Sequence, residues 1–245
     1  MPGTDITNGG ITENSKENTL LYSRLLFIMI VVAPIVTLIV TYPIDIVFRY
    51  EGFIPTISGT IDYSPTSNIG TLGLGITVIL MLLIFSLKFQ HTNAWLETML
   101  DETYRSVTKK RMWIVNIVCY IIGILASLGL LGVISFQAHL VGGAHGFFAT
   151  MFFSLVLVHM IIQLFIDHKL EIISRRMKFY RLTICILCLI SLLFFLFFGI
   201  SDDVVYISVS SIFEAVASIA YLFYYSSCFR EFENSLIVFK VQIQK

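Results

Sequence analysis

The sequence predicts an all-α integral membrane protein: a six-transmembrane-helix bundle with N and C termini cytosolic. Three observations predict it. The chain is 57% hydrophobic and only 13% charged, about half the roughly 25% charge of a soluble domain. Six apolar stretches reach the ~20 residues that a helix rising 1.5 Å per residue needs to cross a ~30 Å hydrocarbon core. Of the 16 Lys and Arg residues, all but Arg49 fall on one side of a six-span arrangement, and basic loops mark the cytosolic side.

Residues 1–20 form a polar leader without aromatic residues up to Thr19, the composition of a disordered segment. The first span, about 21–42, begins after Lys16 and close to Arg24. It is longer than the ~7–15 apolar residues of a secretory signal, so it reads as an uncleaved span, with Pro34 predicting a kink. The outer loop that follows, Pro43–Gly70, carries Pro43, Pro55 and Pro65 as turn residues. It also carries Phe48, Tyr50, Phe53, Ile54, Ile57, Ile61 and Tyr63, more apolar surface than a solvated linker needs. A compact loop packed on the outer mouth of the bundle is predicted.

The second span covers about 71–89, the third 112–135, the fourth 146–166, the fifth 182–200 and the sixth 204–227. Each is apolar all round, whereas barrel strands would alternate over ~10 residues. The six spans make a transmembrane domain over 21–228, and 229–245 is a cytosolic tail. Gly123 and Ser127 on the third span form a small-x-x-x-small pair, which lets helix backbones approach closely and points to packing inside the bundle.

Composition excludes several functions. Net charge is zero, so nothing argues for a nucleic-acid partner; membrane lipids and proteins at the cytosolic loops are the expected ones. Cys119, Cys185 and Cys188 lie within spans, and Cys228 at the end of the sixth, so no disulfide framework is implied. Cys185-x-x-Cys188 sits in an apolar helix without the context of a redox or zinc site, and Cys228 is a candidate for palmitoylation. No P-loop, Rossmann, nucleophile-elbow or H-E-x-x-H pattern occurs, and no cofactor is expected.

The informative residues are the polar ones inside the bilayer, which are costly there and should face the bundle interior. Glu214 lies ten residues into the sixth span and Asn116 near the cytosolic end of the third. On the fourth, His145, His159 and Gln163 return to one helix face at 100° per residue. Counting 1.5 Å per residue from the outer surface puts His159 roughly 20 Å and Glu214 roughly 15 Å deep. A Glu214–His159 hydrogen bond is then within reach, while His145 and His159 are too far apart to share a metal. Glu214 reads either as a polar clasp between helices or as a group serving proton movement, a lipid headgroup or transport.

Further features belong together: six spans, the first-loop segment Pro55-Thr56-Ile57-Ser58-Gly59-Thr60, and Phe136-Gln137 closing the third span. His145 stands eight residues after Gln137, on a helix that runs to Gln163. Ser211-Ile212-Phe213-Glu214 lies in the sixth span and Phe229-Arg230-Glu231-Phe232 just beyond it. From about Leu21 to Glu233 the chain resembles the DRAM/FRAG/SFK family, damage-regulated autophagy modulators and their relatives. In that family DRAM-type members are lysosomal or endosomal proteins that promote autophagy. A Golgi branch acts in lipid remodelling of GPI anchors, and an SFK-type branch helps place a phosphoinositide kinase at the plasma membrane. The first loop departs from the DRAM pattern, reading Ile-Pro-Thr-Ile-Ser-Gly-Thr where Pro-Tyr-Ile-Ser-Asp-Thr-Gly is usual, and Pro65-Thr66 lacks the acidic residue of a Pro-Glu pair. The Gln137–His145–Gln163 register looks most DRAM-like. The resemblance therefore implies a non-enzymatic regulator of endolysosomal membrane traffic or autophagy. GPI-anchor remodelling in the Golgi and proton-coupled transport are the alternatives.

Overall fold

The computed structural model describes residues 13–49, 54–98, 106–200 and 203–233. Among the described residues six helices are long and apolar enough to cross a membrane: α1 (Glu13–Arg49), α2 (Thr66–Thr98), α3 (Ser106–Ser135), α4 (Ala138–Lys169), α5 (Arg175–Phe198) and α6 (Val204–Ser227). A short α7 (Phe229–Glu233) follows α6, and a 3₁₀ turn, Gly59–Ile61, lies in the first connection. Among the described residues there is no strand.

Several helices overrun their apolar stretches, because backbone hydrogen bonding continues past the first polar side chain. α1 begins at Glu13, so residues 13–20 are helical and not part of a disordered leader. It runs through Pro34 and on through Pro43 to Arg49. Each proline removes one hydrogen bond, but inside a bilayer the backbone has no better conformation available. The outer loop is thus shorter at both ends than Pro43–Gly70. Residues 1–12 of the leader, Tyr50 and Phe53 of the loop, and the tail beyond Glu233 lie outside the described residues.

The helices form a ring in chain order, each packed on the next, with α6 returning to α1 and α4 also touching α6. The main core runs through this ring, from Phe27 and Ile30 on α1 to Met81 and Phe85 on α2, Ala126 on α3, Val156 and Met160 on α4, and Ala220 and Tyr224 on α6. α3 meets its neighbours at glycines. A Cβ on Gly129 would lie 2.9 Å from the Phe152 backbone nitrogen on α4, and one on Gly123 would lie 2.8 Å from the Phe85 ring on α2. The Gly123–Ser127 pair therefore packs inside the bundle, with the Ser127 hydroxyl donating to the Gly123 carbonyl at 3.0 Å.

α4 is broken near its start, where Val141 has φ −140° and ψ 55°. The Gly142-Gly143 pair follows, so the first turn of α4 lies at an angle to the rest.

Candidate functional site

Two polar layers separate the apolar core, one at each end of the bundle. The layer at the end that the basic-residue count predicts to be the outer one, called the outer layer, is built on the loop between α1 and α2. Its turn is held locally, with Thr60 Oγ1 donating to the Ile57 carbonyl at 2.8 Å and the Gly59 amide donating to Thr56 Oγ1 at 2.9 Å. The loop is then fastened to helices around the ring. The Tyr42 hydroxyl of α1 donates to the Pro55 carbonyl at 3.1 Å, and the Ile54 amide donates to Ser208 Oγ of α6 at 3.3 Å. Asp62 accepts the His139 amide in the first turn of α4 at 3.1 Å, where a carboxylate satisfies an unpaired helix donor. The His139 ring stacks on Tyr63 with centroids 4.0 Å apart. This part of the loop packs against the outer mouth because its apolar residues have helices to cover.

Glu214 joins this layer. It is buried, and its Oε2 accepts the Ile57 backbone amide at 2.8 Å, while the Ser58 hydroxyl lies 3.5 Å from Oε1. His159 is not its partner. Instead His159 Nδ1 lies 3.0 Å from the hydroxyl of Tyr225, eleven residues further along α6. At 1.5 Å per residue those eleven residues separate Glu214 from the His159 level by about 16 Å. Depths counted from each helix start fail here because the helices begin at different heights.

The remaining polar residues singled out from the sequence are brought together only in part. His145 is buried, and its Nδ1 lies 2.7 Å from the Phe136 carbonyl, so the ring N–H caps the chain where it leaves α3. Gln137 is the N-cap residue of α4 but makes no side-chain cap bond. Asn116 donates to the Phe89 carbonyl and to Asn93 Oδ1 of α2 at 3.1 and 3.0 Å. Gln163 donates to Asp167 Oδ1 at 3.0 Å. Cys228 is buried and turned to the Tyr224 carbonyl; acylation there would need α7 to lift away.

Gln163 leads into the inner layer, which sequence reasoning missed. Lys88 of α2 and Arg181 of α5 both reach Asp167 of α4, at 2.9 and 2.6 Å. Both also contact Glu231 of α7. All four side chains are at most 3% exposed. The Arg181 guanidinium also donates to Ser227 Oγ at 2.9 Å and lies over the Tyr224 ring. Two cations and two carboxylates balance, which is how buried charge is tolerated away from water. The available signals were a lysine within the second apolar run and Asp167 one helical turn after Gln163.

Between the layers, α1 and α6 border a cavity of about 510 Å³. Val31, Ile35 and Ile39 line it from α1, Phe152 from α4, and Ile219 and Phe223 from α6; Tyr42, Ser58 and Glu214 supply polar atoms at its outer end. Ile39 and Phe223 are more than half exposed on the outside of the bundle, so the cavity opens sideways. Beyond Val31 and Phe223 a second, more open cavity of about 580 Å³ continues between α1 and the α6–α7 segment, lined by Phe27, Val32, Ser226 and Phe229, and Phe27 packs against Phe229 and Phe232 at its end.

A ring of six apolar helices, capped by a folded outer loop and locked by buried charges, defines a multi-pass membrane protein. The model of the Frag1/DRAM/Sfk1/Cwh43P N-terminal domain matches residues 22–235, and the chain belongs to that family. No curated protein and no solved structure matches the chain.

Proposed function

We propose that this family member is a non-catalytic regulator of endolysosomal membrane traffic or autophagy, with the basic end of the bundle in the cytosol. The observation that carries it is what Glu214 does. Its carboxyl clasps the Ile57 amide and so holds the outer loop down on α6, the role of a group that sets the shape of a surface. Two other polar side chains of that end are engaged in a similar way, His145 through Nδ1 on the Phe136 carbonyl and His139 on Asp62. The DRAM-like register of Gln137, His145 and Gln163 supports the compartment.

A second reading, lipid remodelling of GPI anchors, draws on one specific observation. Ser58 and Glu214, a hydroxyl and a carboxyl 3.5 Å apart, border the same apolar cavity, and a nucleophile beside a base is the minimum for acyl transfer.

Gene deletion with two readouts separates them. The regulator predicts altered autophagic flux with normal GPI-anchored protein at the cell surface, restored by the wild type and by Ser58→Ala. Normal flux with lost surface GPI proteins, unrestored by Ser58→Ala, would establish the second reading instead.

A further inference from the structure

We propose that the cavity between α1 and α6 binds one diacylglycerol-type membrane lipid, whose head is a small, uncharged hydroxyl, seated with that hydroxyl against Glu214. The inference rests on Glu214 organising the outer mouth, and it is independent of the compartment.

Dimensions come first. Along α6 the lining runs from Glu214 to Phe223, and along α1 from Tyr42 to Val31. Nine and eleven residues at 1.5 Å each make about 14 and 16 Å, the ~15 Å thickness of one leaflet's hydrocarbon. A volume of about 510 Å³ lies within the roughly 300–1,000 Å³ of small-molecule sites. The sideways opening past Ile39 and Phe223 faces acyl chains, so a lipid can enter without crossing water.

The head is selected at the outer end. Glu214 accepts from Ile57 and lies near Ser58, yet a carboxylate has about four acceptor sites. A lipid hydroxyl donates into that remaining capacity. A phosphodiester head would bring a negative charge to a lining that holds no cation. Bulk is excluded as well, since Ile57, Ser58, Ile61 and Tyr42 border the cavity beneath the loop, and Tyr42 ties the loop down through the Pro55 carbonyl. A diacylglycerol-type lipid, whose only polar donor sits at the hydrocarbon boundary, satisfies both conditions.

The test uses the full chain in phosphatidylcholine nanodiscs with a photoactivatable diacylglycerol carrying a diazirine on one acyl chain. Adducts are expected within residues 31–42 of α1 and 214–223 of α6, competed by unlabelled diacylglycerol and not by phosphatidylserine. Ser218→Trp, which fills the cavity, should abolish labelling, and Glu214→Leu should reduce it about fivefold, the effect of one modest contact. Glu214→Gln should retain it. Ile212→Trp on the outer surface serves as control, and Ala215→Phe replaces any cavity variant that fails to fold. Labelling that survives cavity filling, equal competition by phosphatidylserine, or capture of a photoactivatable sterol alone overturns the proposal. Labelling in nanodiscs and flux in cells are separate readouts, so either reading can fail while the other stands.

Discussion

Arg181 on α5 places Nη1 2.6 Å from Oδ2 of Asp167 on α4, and neither side chain is exposed at all. Lys88 approaches the other oxygen of the same carboxylate from α2 at 2.9 Å, and Glu231 of α7 contacts both cations. Four elements are thereby fixed relative to one another at one end of the ring. The chain after α6 is held by the same set.

Removing one member leaves uncompensated charge in a dry site, which costs on the order of 3–5 kcal/mol. Asp167→Ala should therefore lower the melting temperature in detergent far more than Ser227→Ala, which removes a neutral partner of Arg181. The Lys88→Met/Asp167→Ala double variant should be more stable than the two single effects predict, by about 1 kcal/mol or more. Strict additivity would show that the two groups do not interact.

Glu214 offers a second test at the outer end. Glu214→Gln keeps an acceptor for the Ile57 amide, whereas Glu214→Leu does not. Polar contacts in membrane proteins average about 0.6 kcal/mol and rarely exceed 2, so both variants should fold. Hydrogen exchange at Ile57–Thr60 should rise several-fold in the leucine variant and stay near wild type in the glutamine variant. Equal protection in all three proteins would count against the clasp.

Gly129 on α3 and Gly143 on α4 separate close packing from spare room. A Cβ on Gly129 meets Phe152 backbone at 2.9 Å, while around Gly143 nothing lies within 4 Å. Gly129→Ala should cost about 1–3 kcal/mol, because a backbone must move and not a side-chain tip. Gly143→Ala should be close to neutral. Thermal unfolding of the two variants decides it, and a neutral Gly129→Ala would mean that α3 and α4 adjust freely.

The helices were legible because twenty apolar residues in a row have one interpretation in a bilayer. Polar partnerships were much less so. Glu214 and His159 stood out in the sequence because their cost in lipid is a property of the residue alone, and both are buried. Their partners depend on relative helix height, which span counting does not contain, so Tyr225 and Ile57 took the places assigned to each other's partners. Lys88 and Arg181 were read only as contributors to the charge asymmetry, Glu231 only as part of the Phe229–Phe232 segment, and Asp167 was passed over. A charge near a span end looks solvated until a second helix is seen to cover it.

That burial also alters the topology argument. Lys88 and Arg181 are neutralised within the bundle by Asp167 and Glu231, so they add little to the pull of the anionic cytosolic leaflet. Setting them aside leaves thirteen basic residues facing Arg49 alone, and the orientation should rest on the loops. Lys110 and Arg111 at the start of α3, and Arg175 and Arg176 at the start of α5, are exposed and free to meet headgroups. Both terminal tags should be cut by protease added to the cytosolic face of intact membranes. Replacing Lys109, Lys110 and Arg111 together by Glu should produce a fraction of molecules with protected tags, whereas Lys88→Met should leave orientation unchanged while weakening the fold. If Lys88→Met reoriented the chain and the triple variant did not, buried charge would be guiding insertion, and the exposed loops would lose that role.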